Sequence, residues 1–281
     1  MNPIVLPDIN LPSSYNYVAA FLTLRCNRAC PYCINRHGEF KQPKEMDAGD
    51  WVRGLRRIQT RNDLPVTFQG GEPTIHKDFY ALANQLHIEG KYLDVLTNGE
   101  WSLYDFEQEI NTEIFKREAP YASIRVSYHG QTGNDLAVLI SKVQYLQNHG
   151  YSVGLWGLSN QNTQQVANLC KGLGIDFRVK EYLDDKHGTY KYPRAVGSSL
   201  VKHVHCKPSE LLIAPDGRIY RCHADLYASR GSIAHILDTN IKFPGYLACD
   251  NFGQCNPCDV KNKTNRLQEK GHCSVTIKEM I

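Results

Sequence analysis

Six short apolar segments, separated by stretches of helical periodicity, constrain this chain more than any other feature. VAAFLTLR (18–25), LPVTFQ (64–69), YLDVLTN (92–98), YASIRVSYH (121–129), YSVGLWGL (151–158) and IDFRVKEY (175–182) read as strands, rich in β-branched and aromatic residues. Between them, MDAGDWVRGLRRIQ (46–59), HKDFYALANQLHI (76–88), a segment near 103–116, NDLAVLISKVQYLQNHG (134–150) and NTQQVANLCKGLG (162–174) read as helices, with Gly150 as a C-terminal stop. Strands joined through helices of this length run parallel with right-handed crossovers. The expected fold class is therefore α/β, an open or partial (β/α)6 parallel barrel over residues 17–185, preceded by an N-terminal extension over 1–16.

The rhythm stops near residue 184. DDKHGTYKYPRAVGSSLVKH (184–203) carries Gly, Pro, Ser and His without a clean period, and a linker over 186–200, or a loop over the site, is expected there. SELLIAPDGRIYRC (209–222) reads as a β-hairpin turning at Pro215-Asp216-Gly217. The remainder is loop-rich and dense in Cys, Asn and Gly. A small cysteine-rich α+β domain over 201–281 follows, stabilised by metal in place of a large apolar core.

The net charge of +3 is small and no run of four Lys/Arg occurs, so no nucleic-acid partner is expected. The first twenty residues lack a basic segment followed by an apolar one, and no apolar run is long enough to span a membrane. A cytoplasmic location is expected. Ten cysteines in such a chain point to metal rather than to disulfides.

Three of them, Cys26, Cys30 and Cys33, form a C-x3-C-x2-C array in RCNRACPYCINRHGEF (25–40). Structural zinc and protein-held four-iron clusters both take four ligands. Three thiols leave one position open, unless a neighbour such as His37 completes a zinc knuckle. Further on, FQGGEPT (68–74) follows the second strand; Gly70 and Gly71 allow close backbone approach, and Glu72 suits an ammonium.

The cysteine loop after the first strand, with Tyr32 before its last cysteine, resembles the signature of radical S-adenosylmethionine (SAM) enzymes, and the Gly-Gly-Glu stretch resembles a second motif of that family. The resemblance implies a 4Fe-4S cluster on Cys26, Cys30 and Cys33, with its fourth iron chelated by the amino and carboxylate groups of SAM. It further implies SAM contacts from Tyr32, Gly70, Gly71, Glu72, Asn98 and Ser127, with the Thr97-Asn98-Gly99 tip at the third strand's end. Those last residues read equally well as turn and strand-end positions. GLWG (154–157) loosely resembles the family's fifth-strand motif near the adenine.

Cys206 and Cys222 flank the hairpin in a C-x10-G-x4-C pattern, and Cys255 and Cys258 form C-x2-C. This resembles the twitch form of the SPASM/twitch extensions and implies an auxiliary 4Fe-4S cluster on Cys206, Cys222, Cys255 and Cys258. Cys249 is the first substitute and Cys273 is dispensable. The same four thiolates would satisfy a structural zinc. Cys170 reads as a core thiol, and His203, His205 and His223 as surface residues.

The expected activity is reductive cleavage of SAM to a 5′-deoxyadenosyl radical that abstracts a substrate hydrogen, for oxidative modification of a small molecule such as a carbohydrate or cyclitol derivative. Arg178, Lys180, Glu181 and Tyr190 at the sixth strand's exit are substrate-site candidates. The alternatives are a peptide or protein side-chain maturase and a non-catalytic iron–sulfur or zinc protein. Only 25 residues precede Cys26, so no separate leader-peptide-binding domain is expected. The expected redox partner is a reductase such as flavodoxin or ferredoxin.

Overall fold

The computed structural model describes residues 6–30, 33, 35, 42–60, 64–116, 118–119, 121–130, 135–158, 162–180, 202–252 and 275–279. The chain opens with β1 (Ile9–Asn10), β2 (Tyr17–Thr23), α1 (Ala48–Leu55), β3 (Ile58–Gln59) and β4 (Val66–Gly70). A 3-10 turn (Pro73–Ile75) leads into α2 (Phe79–Ile88), β5 (Leu93–Thr97), α3 (Leu103–Glu109), β6 (Ile124–Ser127), α4 (Leu136–Asn148), β7 (Val153–Leu158), α5 (Thr163–Gly172) and β8 (Phe177–Lys180). Then come β9 (Lys202–Pro208), β10 (Glu210–Ile213), β11 (Arg218–Tyr220), α6 (His223–Tyr227), β12 (Ala234–His235), β13 (Leu247–Phe252) and β14 (Val275–Glu279).

The six expected strands are β2, β4, β5, β6, β7 and β8, and each pairs in parallel with the next. They belong to a nine-stranded sheet ordered β12-β11-β10-β2-β4-β5-β6-β7-β8, whose end strands β12 and β8 leave it open among the described residues. On one face Val18, Ala20, Leu22, Val66, Phe68, Leu93, Val95, Ile124, Val126, Val153 and Leu155 pack with the helices into the main core. Burial on both faces explains why these strands read as near-continuous apolar runs.

Local chemistry sets the helix ends. Asp47 caps α1 by accepting from the Asp50 amide at 2.9 Å, and Asp135 caps α4 by accepting from Ala137 at 2.8 Å. Gly150, at φ +87°, ends α4 as expected. Two helices are shorter than their sequence periodicity. The segment expected to continue α1 turns into β3, which pairs with β1 through Ile9↔Ile58. The segment 103–116 is helical only to Glu109, because Asn111 accepts from the Glu113 amide at 2.9 Å and diverts the backbone into a turn.

The hairpin occupies a different place from the one expected. β10 and β11 are antiparallel, but β10 also pairs in parallel with β2 over Glu210↔Tyr17 to Ile213↔Ala20. The hairpin thus extends the parallel sheet instead of standing in a separate layer. All four β10 residues are buried, with Leu211 and Ile213 in the main core, so this strand has no solvent face to turn outward. Arg57 adds a second tie, donating to the carbonyls of Pro7 (2.6 Å), Ile236 and Asp238 (both 2.9 Å). A smaller antiparallel sheet, β13-β9-β14, carries the tail strands. The expected linker 186–200 lies outside the described residues.

Candidate active site

The cysteine loop leaves the C-terminal end of β2 and is clasped at its base. Arg25 donates to the Glu45 carboxylate at 2.9 and 3.0 Å, and the Thr23 hydroxyl bonds the same carboxylate. Glu45 lies beyond the loop, so this joins its exit to its entry. Inside, the Asn35 amide donates to the Leu24 carbonyl at 2.6 Å, and the Cys33 amide to the Cys30 carbonyl at 3.0 Å. Among the described residues Cys26, Cys30 and Cys33 form no disulfide. Burial pushes the Cys26 thiol up, against the Arg28 amide that donates to its sulfur at 3.4 Å, and the charges of Glu72 and Cys30 push it further. Tyr32 and His37 lie outside the described residues.

The Gly-Gly pair is explained by the protein's own backbone. Gly70 sits at φ +144°, and a Cβ there would lie 2.0 Å from the Thr23 carbonyl oxygen; on Gly71 it would lie 1.9 Å from that of Arg25. These contacts let the Gly71 and Glu72 amides donate to the Thr23 and Arg25 carbonyls, each at 2.8 Å. This close approach seats the β4 exit against the stem of the cysteine loop.

Glu72 is 1% exposed. Its Oε1 accepts from the Thr97 and Thr74 hydroxyls at 2.7 Å each and from the Thr74 amide at 3.2 Å; its Oε2 accepts from the Asn98 amide at 2.7 Å. All four donors are neutral, and burial pushes the carboxyl above its usual range in spite of them. A buried carboxylate met only by neutral donors fits a cationic ligand such as an ammonium. Asn98 reaches the cysteine loop, its amide nitrogen donating to Asn27 Oδ1 at 2.6 Å and lying 3.9 Å from the Cys26 sulfur. The Arg28–Glu100 ion pair ties the same two loops. Ser127, half-buried, ends β6 opposite Trp156 of β7.

The sheet face opposite the helices is divided. Thr67 and Gln69 of β4, Asp94 of β5 and Arg125 of β6 alternate with the core residues and so line this second face. Asp94 and Arg125 form a buried pair at 2.8 Å, with Tyr121 over the guanidinium at 5.4 Å. At the other end, Ala19, Phe21, Leu24, Leu212, Tyr220, Leu226 and Tyr227 make an apolar cluster. The sequence signal for Asp94 and Arg125 is a charge inside a buried parallel strand, which strand periodicity alone does not single out. Arg178, expected near substrate, donates to Asp176 at 2.7 Å. Glu181, Tyr190 and the side chain of Lys180 lie outside the described residues.

Of the expected auxiliary ligands, Cys206 is buried in β9 and Cys222 is the N-cap residue of α6; Cys255 and Cys258 lie outside the described residues, as does Cys273, which is expected to be dispensable. Arg221, beside Cys222 in sequence, bonds Asp225 at 2.7 Å and the Ala248 carbonyl at 2.8 Å. Burial, with Asp225 alongside, pushes Cys222 up to about 12. Cys249 of β13 opposes Val204 while Leu247 opposes Cys206, which puts Cys249 and Cys206 on one face as diagonal neighbours. His223 is not a surface residue: it is 4% exposed, 3.8 Å from the equally buried Glu210. His205 is half-buried, and His203's side chain lies outside the described residues. Cys170 is fully buried in the main core. Among the described residues no three Cys, His, Asp or Glu side chains gather closely enough for one metal ion, and no helix is long and apolar enough to cross a membrane.

A family model described as the Radical SAM superfamily matches residues 21–176, more than half of the chain. An S-adenosylmethionine-dependent nucleotide dehydratase of Selenomonas ruminantium is 32% identical over 83 residues, 29% of this chain and 29% of that protein. A PqqA peptide cyclase of Ruegeria pomeroyi is 31% identical over 93 residues, 33% of this chain and 25% of that protein. The matches thus span less than a third of either relative. Streptococcus suis SuiB bound to S-adenosylmethionine has a TM-score of 0.56 and 18% identity, over 78% of this chain and 62% of that one. SuiB bound to its precursor peptide SuiA gives the same TM-score and coverage at 16% identity. AnSMEcpe with bound AdoMet gives 0.56 and 15%, over 82% and 75%. These structures show likeness of fold. The chain belongs to the radical SAM superfamily and is an enzyme, and the family implies SAM and a 4Fe-4S cluster as its cofactors.

Proposed function

From membership of this superfamily we propose that the chain is a maturase that modifies a peptide or protein side chain. The observation that carries the radical reading is Glu72, a buried carboxylate whose donors among the described residues are all neutral, joined through Asn98 to the loop of Cys26, Cys30 and Cys33. Those three thiols would hold the cluster, and Glu72 the ammonium of SAM, with Gly70, Gly71, Asn98 and Ser127 around it. When bound, these groups supply reductive cleavage of SAM to methionine and a 5′-deoxyadenosyl radical that takes a substrate hydrogen. The chain's part is to fix the loop through Glu45, to keep Glu72 dry, and to present Thr67, Gln69 and Arg125 as a polar wall for substrate. Thr67 Oγ1 and Gln69 Nε2 have no hydrogen-bond partner among the described residues, as groups awaiting a ligand or water do.

The peptide reading is favoured over the small-molecule one by the named relatives, a peptide cyclase and SuiB with its precursor peptide. The nucleotide dehydratase keeps a small-molecule substrate as the second reading. Cys206, Cys222, Cys255 and Cys258, with Cys249 as substitute, would hold an auxiliary 4Fe-4S cluster, and a flavodoxin or ferredoxin would supply electrons in the cytoplasm.

The test is anaerobic incubation of reconstituted enzyme with SAM, dithionite and cell extract in deuterated water, followed by mass spectrometry of the peptide and small-molecule fractions. Deuterium or a mass change in a peptide is expected. A change confined to small molecules would overturn the peptide reading, and absence of any 5′-deoxyadenosine would overturn radical catalysis.

A further inference from the structure

Leu96 lies on β5, a strand paired on both sides, yet it is only half-buried, so the sheet face opposite the helices is accessible at that point. The register names its neighbours. Leu96 pairs with Arg125 and Arg125 with Gly154, while the step beyond Phe68↔Val95 sets Gln69 on the other side of Leu96. Gln69 and Arg125 thus flank an apolar floor, their backbones two strand spacings, roughly 10 Å, apart. Phe21, the partner of Gln69, and Gly154 close the row. A Cβ on Gly154 would lie 3.2 Å from Trp156 Cζ3, so the indole edge hangs over the place where a side chain would stand. Asn98 and Ser127 follow Leu96 and Arg125 by two residues, about 7 Å along their strands.

The polar groups around this floor are buried and incompletely paired. Gln69, 8% exposed, accepts from the Tyr17 hydroxyl through Oε1 at 3.4 Å, and its Nε2 has no partner among the described residues. Arg125, 6% exposed, donates through Nη2 to Asp94 at 2.8 Å and leaves Nε unmatched. Thr67, fully buried and paired in register with Asp94, leaves its hydroxyl in the same condition. Two of these three atoms are N–H donors, so their complement is an oxygen acceptor. Its charge follows from the ion pair. Asp94 already balances Arg125; a carboxylate would set a second buried negative charge against one guanidinium, and an ammonium would face two N–H groups. A carboxamide meets both demands. Its carbonyl has a lone pair each for Gln69 Nε2 and Arg125 Nε, and its NH2 suits the Thr67 oxygen.

We propose that Gln69, Leu96 and Arg125 form a specificity slot that takes a side-chain carboxamide of the substrate, the end group of asparagine or glutamine. The apolar stem lies on Leu96 between Phe21 and Trp156, and the amide reaches the buried donors. The slot rests on the maturase reading only in that the carboxamide belongs to a peptide. A site built from buried donors discriminates sharply, because an analogue without the acceptor leaves those donors unpaired.

The test uses full-length, cluster-loaded protein with SAM and three probes of nearly one shape, N-acetyl-asparagine amide and its aspartate and leucine counterparts, with Kd measured by ligand-observed NMR. The wild type should bind the asparagine probe about tenfold more tightly than either of the others. Gln69→Leu keeps the bulk and removes one donor, and should abolish most of the preference over leucine. Asp94→Asn releases the charge of Arg125 and should turn the preference towards aspartate; where that variant does not fold, the Gln69→Leu comparison decides alone. Equal affinity for the asparagine and leucine probes, no binding of the asparagine probe, or a preference unmoved by Gln69→Leu would overturn the slot. None of these measurements involves turnover. An asparagine preference with no altered peptide in the assay above would sink only the maturase reading, and an altered peptide with no such preference only the slot.

Discussion

The Asn98 amide lies 2.7 Å from the Glu72 carboxylate, so the exits of β4 and β5 are fastened through one buried acid. Glu72→Gln places an amide NH2 among groups that are already donors. The variant should keep its iron, lose about 1 to 3 kcal/mol of stability, and bind SAM weaker by about 1.5 to 3 kcal/mol. Chemical denaturation and calorimetric titration of cluster-loaded protein measure the two effects. Unchanged SAM affinity would show that the glutamate serves only the turn.

If Glu72 holds the SAM ammonium as proposed, the same carboxyl should give SAM binding a pH dependence. Burial raises its pKa in the free protein, and an ammonium ligand favours its ionised form. Binding therefore releases a proton wherever Glu72 is still protonated, and affinity should rise with pH through that raised range and level off above it. Glu72→Gln should flatten the profile.

Glu45 works with the opposite sign. Burial alone would raise its pKa, but the bonds from Arg25 and Thr23 outweigh it and the carboxyl titrates below its usual range. A depressed carboxyl contributes stability that is present above its unfolded value, about 4.3, and lost as pH falls through the folded one. Protease cleavage within 26–44 should accelerate on acidification below that range in the wild type. In Glu45→Gln it should be fast at neutral pH and vary little with acid.

Gly71→Ala tests the docking of the two loops. Its Cβ would meet backbone, the Arg25 carbonyl, which cannot turn aside as a side chain does. The expected result is a loss of about 2 to 4 kcal/mol and depleted iron at the Cys26 loop. Full iron retention would show that the loop is placed by Glu45 and Asn35 without this contact.

Breaking the Asp94–Arg125 pair should be severe, because each single change leaves a buried charge. Arg125→Met should cost about 3 to 5 kcal/mol, and Asp94→Leu/Arg125→Met together less than the sum of the single changes. A double-mutant cycle in denaturant measures the difference. Additive effects would mean that the two charges find other partners.

The parallel strands and the cysteine loop were legible because their signals are local. A buried strand such as VTFQ announces itself by composition, and Cys26, Cys30 and Cys33 by spacing. Partners distant in sequence were not legible. Periodicity says that Leu211 and Ile213 are buried but not that β2 buries them, so the hairpin was assigned to another domain. Helix length at 103–116 failed for a local reason, the Asn111 turn, which competes with a helix that apolar spacing alone favours. Glu72 was expected to meet a ligand, and its four internal donors depend on where β4 and β5 end side by side. His223 looked like a surface residue because nothing in its neighbourhood of sequence reveals Glu210 across the sheet.

The pairing of β10 with β2 joins residues about 190 positions apart, Tyr17 with Glu210. A chain emerging from the ribosome can lay β4 against one side of β2 early, while the other side waits with its amides and carbonyls bare until most of the protein has been made. Contacts this distant are slow to form, and an unpaired edge is a template for association between chains. Truncations that end before residue 210 should therefore aggregate even though every strand from β2 to β8 is present. Translation speed through 186–213 then becomes a determinant of yield, since it sets how long that edge stays open.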